Sequence, residues 1–255
     1  MSPVTGVVFR PQLPPEELRR VVEHTEAAGL AELWLWEDCF LEGGLTTAAA
    51  ALAWSSRLRV GVGLLPVPLR NPALAAMEIA TLARLFPDRL AIALGHGVQD
   101  WMVQVGAGVE SPMTLLREHT VAVRDLLRGE TVSVSGRYVN LDAVALDWPP
   151  PTPPTLLIGA RGPRSVALAG ELTDGVLLDS VVDPAGVRRA RELVGPERQV
   201  AVYTQMTDRA AVPDRVAQLA EAGADTVILQ AGESAPDPRY LIDALADVDS
   251  GTAHP

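Results

Sequence analysis

Two apolar patterns alternate along this chain. Short, nearly continuous apolar runs are followed by longer segments whose apolar residues recur at helical spacing, and the pair occurs eight times. The apolar runs predict strands at Val4–Phe9, Leu33–Trp36, Leu58–Leu64, Leu90–Leu94, Leu156–Ile158, Val176–Leu178, Gln199–Tyr203 and Thr226–Leu229. The passage from helix into strand even repeats its spelling: AGLAELWL at 28–35, AGADTVIL at 222–229 and, in related form, LTDGVLL at 172–178. Proline and acids at Pro14-Pro15-Glu16-Glu17 open the first helix where they belong. Further helices are expected from Thr46 or Thr47 to Trp54 and over Pro72–Leu85, Thr114–Arg128, Pro163–Leu172, Pro184–Val194, Pro213–Ala222 and Pro238–Ala246. Asp247–Pro255 reads as a frayed end.

Strands buried on both faces and alternating with helices imply a parallel sheet. Eight such units in 255 residues imply one domain, 1–255, folded as a closed (β/α)8 TIM barrel. The rhythm breaks once. Residues 130–147 alternate apolar and polar around Ser135-Gly136, which predicts a small β-hairpin, and WPPPTPPT at 148–155 reads as a stiff linker back to the barrel. A barrel of this kind carries its site at the C-terminal ends of its strands, so the search for chemistry reduces to those ends. The longest strand-to-helix connection, Val98 to Pro112, is a candidate functional segment.

Composition narrows the partners. Apolar residues make up 48% of the chain, which excludes a disordered protein, and a net charge of −11 argues against nucleic acid or an anionic membrane as partner. Cys39 is the single cysteine, so no intrachain disulfide forms and no cysteine-based metal framework exists. The first residues lack the basic-then-apolar order of a secretory signal, and no apolar run approaches the ~18 residues that span a bilayer. The expectation is a soluble cytoplasmic protein acting on a small molecule.

Three strand ends carry candidate chemistry. After strand two come Trp36-Glu37-Asp38-Cys39. Alternation puts Glu37 and Asp38 on opposite faces, one toward the barrel mouth and one packed outward, unless they only cap the turn. Trp36 offers a wall for a planar ligand or a purely structural ring. Strand four ends in Gly95-His96-Gly97, and strand five in Gly159-Ala160-Arg161-Gly162-Pro163-Arg164, leading straight into a helix. Small residues there let backbone N–H groups approach an anion, the helix N-terminus favours negative charge, and the arginines add charge-assisted contacts. His24 and His119 fall inside helices and read as surface or packing residues, and no spacing such as HxxxH points to a metal.

The runs EAAGLAELWLWEDCF (26–40), SSRLRVGVGLLPVPLRNPALAAMEIATLARLFPDRLAIALGHG (55–97) and PPTLLIGARGPRSVALAGELTDGVLL (153–178) resemble, in order, three signatures of the bacterial luciferase-like flavin and deazaflavin oxidoreductases. The resemblance implies a barrel holding the deazaflavin coenzyme F420, or alternatively FMN, at its mouth. It implies a bulge at Val62-Gly63-Leu64, with a cis peptide at Gly63–Leu64, behind the ring, and phosphate contacts at Gly95–Gly97 and Gly159–Arg164. Family members often carry His where this chain has Asp38 and Cys39, which makes Asp38 the first candidate proton donor and Glu37 the second. The expected activity is hydride transfer between reduced F420 and a small hydrophobic substrate, with an FMN-dependent monooxygenase or a non-catalytic coenzyme-binding barrel as alternatives. Leu64, Leu65, Trp36 and Trp101 are the expected apolar lining, and a homodimer is implied.

Overall fold

The computed structural model describes residues 2–179 and 183–251. The strands are β1 (Val4–Phe9), β2 (Glu32–Leu35), β3 (Arg59–Pro66), β4 (Leu90–Gly95), β5 (Val132–Ser135), β6 (Asn140–Val144), β7 (Thr155–Ala160), β8 (Gly175–Leu178), β9 (Gln199–Gln205) and β10 (Thr226–Gln230). The helices are α1 (Leu18–Ala27), α2 (Gly44–Trp54), α3 (Pro72–Leu85), α4 (Gln99–Gln104), α5 (Pro112–Leu127), α6 (Pro163–Leu172), α7 (Pro184–Val194), α8 (Val212–Glu221) and α9 (Arg239–Gly251). Eight strands close into a parallel barrel in the order β1-β2-β3-β4-β7-β8-β9-β10, and β5 and β6 form a separate antiparallel hairpin between α5 and β7. The expected (β/α)8 barrel with its hairpin insertion is the observed architecture.

Two layers of core follow from the two-residue period of the strands. On β2, Leu33 and Leu35 face the helices, whereas Trp34 and then Trp36 face the barrel axis. On β4, Leu90, Ile92 and Leu94 face outward while Ala91 and Ala93 face inward. The inner layer is small: Val8, Leu157, Leu177, Ile228 and the alanines pack around the large rings of Trp34 and Tyr203, which meet edge to face at 6.0 Å. Large and small residues thus share one narrow interior, as close packing requires.

Several boundaries differ from the sequence expectation. The Val98–Pro112 connection contains α4, a helix of six residues, too short for its periodicity to stand out. The last helix is longer than expected and runs through Asp247 to Gly251; the end of the segment expected to fray lies outside the described residues. Helix α2 begins at Gly44, ahead of the threonines, because a distant carboxylate caps it. Along β3 the pairing with β4 shifts between Gly63 and Leu65, and the Gly63–Leu64 peptide is cis, where the resemblance placed it; Cys39–Phe40 is a second cis peptide.

Candidate functional site

The C-terminal mouth of the barrel holds a cavity of about 670 Å³. Most of the sequence candidates meet there. Trp36, Glu37 and Asp38 reach it from β2, Gly63 and Leu64 from β3, His96 and Gly97 from β4, and Gly159, Ala160, Arg161 and Gly162 from β7. Val98, Gln99 and Trp101, on and just before α4, and Pro112 at the start of α5 form another part of the wall.

Both paired acids border the cavity, and their carboxylates differ in what they bond. Glu37 is buried and its carboxylate is fully engaged. Its Oε2 accepts from the Gly44 N–H at 2.7 Å and from Arg70 Nη2 at 2.8 Å, while Arg70 Nη1 binds Oε1. The capping role falls to Glu37, which satisfies the first N–H of α2. Asp38 faces the cavity, and its carboxylate makes no hydrogen bond among the described residues. Burial pushes the Asp38 carboxyl above the usual carboxylate range, and the Arg10 guanidinium opposes that shift. The neighbouring Cys39 thiol is also pushed up, first by burial and then by Glu37 and Asp38.

Leu64 forms an apolar ridge across the cavity floor. A Cβ on Gly159 would lie 2.5 Å from its Cδ2, and so would one on Gly95. These two glycines therefore make room for a side chain of β3. That is a different use from the anion approach expected of them, and Gly95 does not itself line the cavity. Val62 packs outward among the helices and is absent from the cavity wall. Leu65 does the same, because the bulge at Gly63–Leu65 turns Leu64 and not Leu65 inward.

Trp36 borders the cavity with its ring edge-on to Tyr203 at 5.7 Å and with the Arg10 guanidinium 5.2 Å above it. Its indole N–H lies beside the Tyr203 hydroxyl without a hydrogen bond of good geometry. Tyr203 is buried and donates to the Gly63 carbonyl at 3.0 Å. Burial raises its phenol far above the ordinary value, so the hydroxyl is a neutral donor. His96 is held below the ordinary histidine value by burial, with a hydrogen bond to the Pro112 backbone opposing, and its Nδ1 is a buried atom without a partner.

The start of α6 presents an open helix N-terminus to the cavity wall. Gly162 is its N-cap residue and no atom lies within 4 Å of where a Cβ would stand. Pro163 at the first helical position has no N–H to satisfy, Val166 N–H already bonds the Gly162 carbonyl, and Arg164 and Ser165 supply the remaining first-turn donors. Ser165 is buried against the cavity, whereas Pro163 and Arg164 lie outside its lining. Arg161 is 71% exposed and its Nε pairs with Asp179 at 2.7 Å. Arg164 is exposed and has no ion-pair partner among the described residues.

Residue-by-residue reading of the sequence missed Arg10, Ser165, Asp179, Tyr203 and Gln230. Asp179 follows β8, Gln230 ends β10 and Tyr203 lies near the C-terminal end of β9, so the strand-end rule was the signal that could have found them. Among the described residues no group of three or more His, Cys, Asp or Glu side chains is arranged to hold a metal, and no helix is long and apolar enough to cross a membrane.

Known proteins match this arrangement. A 5,10-methylenetetrahydromethanopterin reductase of Methanolobus tindarius is 25% identical over 255 residues, covering 97% of this chain and 78% of that protein. An F420-dependent glucose-6-phosphate dehydrogenase of Kineococcus radiotolerans is 31% identical over 185 residues, covering 66% of this chain and 54% of that protein. The chain spans about half the length of the glucose-6-phosphate dehydrogenases it matches. A solved F420-dependent secondary alcohol dehydrogenase, in complex with an F420-acetone adduct, shares the fold with a TM-score of 0.84 at 19% identity over 97% of this chain and 98% of that one. The model of the luciferase-like monooxygenase family matches residues 4–202. Because that match runs from the first residue of β1 into β9, the chain belongs to the luciferase-like monooxygenase family.

Proposed function

We propose that this protein is an oxidoreductase that binds the deazaflavin coenzyme F420 in the barrel mouth and transfers a hydride between it and a small, largely apolar organic substrate. The carrying observation is that one cavity joins an apolar ridge, Leu64, to an open helix N-terminus at Gly162. A planar ring with a phosphate-bearing tail needs both. The two proteins named above as F420-dependent support the choice of deazaflavin over FMN.

When bound, the deazaflavin supplies the hydride chemistry, which no side chain of the protein can. The protein's residues do the rest. Leu64 and Trp36 give the ring apolar surface to rest on, and the Arg164 and Ser165 N–H groups meet the phosphate together with the open face at Gly162. Neutral His96 offers a ring nitrogen without adding charge. Trp101 and Val98 limit water at the mouth. Asp38, a cavity-facing carboxyl that burial pushes above the usual carboxylate range, is the group placed to exchange a proton with a substrate oxygen.

Titration of the purified protein with F420 and with FMN, followed by absorbance and protein fluorescence, tests the reading. Saturable F420 binding and turnover of the reduced coenzyme with a carbonyl substrate are expected. Saturation by FMN alone would move the protein to the monooxygenase reading, and binding without turnover to a coenzyme-binding barrel. The family likeness also supports a homodimer, to which the exposed Leu74 and Met77 of α3 offer apolar surface; light scattering checks it.

A further inference from the structure

We propose that Tyr203 is a positioning residue: through its hydrogen bond to the Gly63 carbonyl it fixes where Leu64 stands, and so how the coenzyme ring sits in the cavity. The inference rests on the coenzyme site described above, and goes beyond it by assigning a role to a residue of β9.

The geometry is specific. The Tyr203 hydroxyl reaches across the barrel axis from β9 to β3 and donates at 3.0 Å to a carbonyl 140 residues away in sequence. The Gly63 carbonyl receives this bond where the barrel ladder changes register. The register of β3 against β4 shifts between Gly63 and Leu65, so the ladder is irregular at this point. A buried backbone acceptor left unpaired is unfavourable, and a neutral phenol is the donor that meets it here. The tyrosine ring cannot swing away, because Trp34 packs edge-on against it from one direction and Trp36 from another, at 6.0 and 5.7 Å. A Cβ on Gly63 would meet both the Tyr203 hydroxyl and Leu177, so the bulge lies hard against the barrel interior.

Leu64 is then held from three sides. Its isobutyl group occupies the space left by the missing side chains of Gly95 on β4 and Gly159 on β7, and its preceding carbonyl is tied to β9. Loss of the tie from β9 leaves the side chain in its slot but frees the backbone that sets its height. Trp36, the other wall of the ring site, touches the same tyrosine. Tyr203 therefore meets both surfaces that a planar ring would contact, the Gly63–Leu64 peptide through its hydroxyl and Trp36 through its ring.

The test is a double-mutant cycle on coenzyme affinity, with Tyr203→Phe and Leu64→Ala made singly and together and F420 as the titrant. Tyr203→Phe removes one oxygen from a packed ring, and thermal unfolding confirms that it folds. Affinity is expected to fall about fivefold, the range of one net hydrogen bond, with a changed absorbance band of the bound coenzyme. In the Leu64→Ala background the same change should cost less than twofold, because the group through which the tyrosine acts is gone. Equal losses in both backgrounds, or an affinity and spectrum unchanged in Tyr203→Phe, would overturn the proposal. Should Tyr203→Phe fail to fold, Gly159→Ala presses on Leu64 from β7 with the tyrosine intact. A fall in affinity relieved by Leu64→Ala supports the role of the ridge, and no fall removes the route by which Tyr203 acts. Failure of the parent protein to bind F420 at all is a separate result, and rejects the coenzyme reading itself.

Discussion

Arg70 and Glu37 form a two-pronged ion pair at the cavity wall, and the same carboxylate takes the first N–H of α2. Arg70 also donates from Nε to Glu78 at 3.2 Å, and His119, buried in α5 with its imidazole driven down to about 4 by burial, contacts the Arg70 carbonyl through Nε2 at 3.1 Å. Asp38, whose carboxylate is unbonded at the cavity, thus adjoins in sequence an acid whose carboxylate is fully engaged by Arg70 and Gly44.

Glu37→Gln should therefore act on stability. Removal of one partner from a buried pair leaves the other charge poorly compensated, at a cost of about 3 kcal/mol. Urea unfolding measures it; a loss below about 1 kcal/mol would show that the pair adds little.

Asp38→Asn should act on turnover. Removal of a general acid lowers the rate by about 10²-fold or more, with F420 affinity nearly unchanged. Because the folded-state value lies above the unfolded one, the native state holds the proton more tightly. Stability then falls as pH rises from the unfolded value through the folded one, and the ionised carboxylate carries the penalty above it. Asn removes the penalty, so the variant should unfold at the same temperature as the parent or higher. Full activity in Asp38→Asn would return the proton to Glu37, His96 or solvent.

Glu42, in the turn between β2 and α2, is pushed up to about 7 by burial and by Glu16, and its Oε1 is a buried atom without a partner. Its sign is the same as for Asp38: the favourable state is the protonated one. Glu42→Gln should match the parent below about pH 4.5 and gain on it steadily up to about pH 7, with a constant advantage above. Melting temperatures over that range check it, and parallel curves would place Glu42 in water.

Gly162→Val should fold normally, since its backbone at φ −92°, ψ 155° is open to any residue and its Cβ would enter empty space. That space is where a phosphate would sit. F420 affinity should drop roughly tenfold, about 1.4 kcal/mol, at an unchanged melting temperature. Unchanged affinity would move the phosphate away from α6.

The barrel itself was legible because its evidence is local. Continuous apolar runs at β2 and β4, helical spacing on α3 and α7, and prolines at Pro72, Pro163 and Pro184 each state burial or capping within one element. The family-marked bulge at Gly63–Leu64 was legible from its motif. Alternation put Glu37 and Asp38 on opposite faces; both border the cavity, and what separates them is that Glu37 is bonded by Gly44 and Arg70.

What the chain determined by itself was the order of elements, their periodicity and hence the closed barrel, because each depends on neighbours within a few residues. Contacts that depend on closure and register were decided by the tertiary structure. Arg70 claims Glu37 across 33 residues, Tyr203 claims the Gly63 carbonyl across 140, and Leu64 fills space vacated by Gly95 and Gly159 on two other strands. A glycine at a strand end reads the same in sequence whether it admits an anion or a leucine. Only the one-residue shift of β3 against β4, which turns Leu64 inward and Leu65 outward, settles the use of Gly95 and Gly159, because a change of register by one residue exchanges the two faces of a strand.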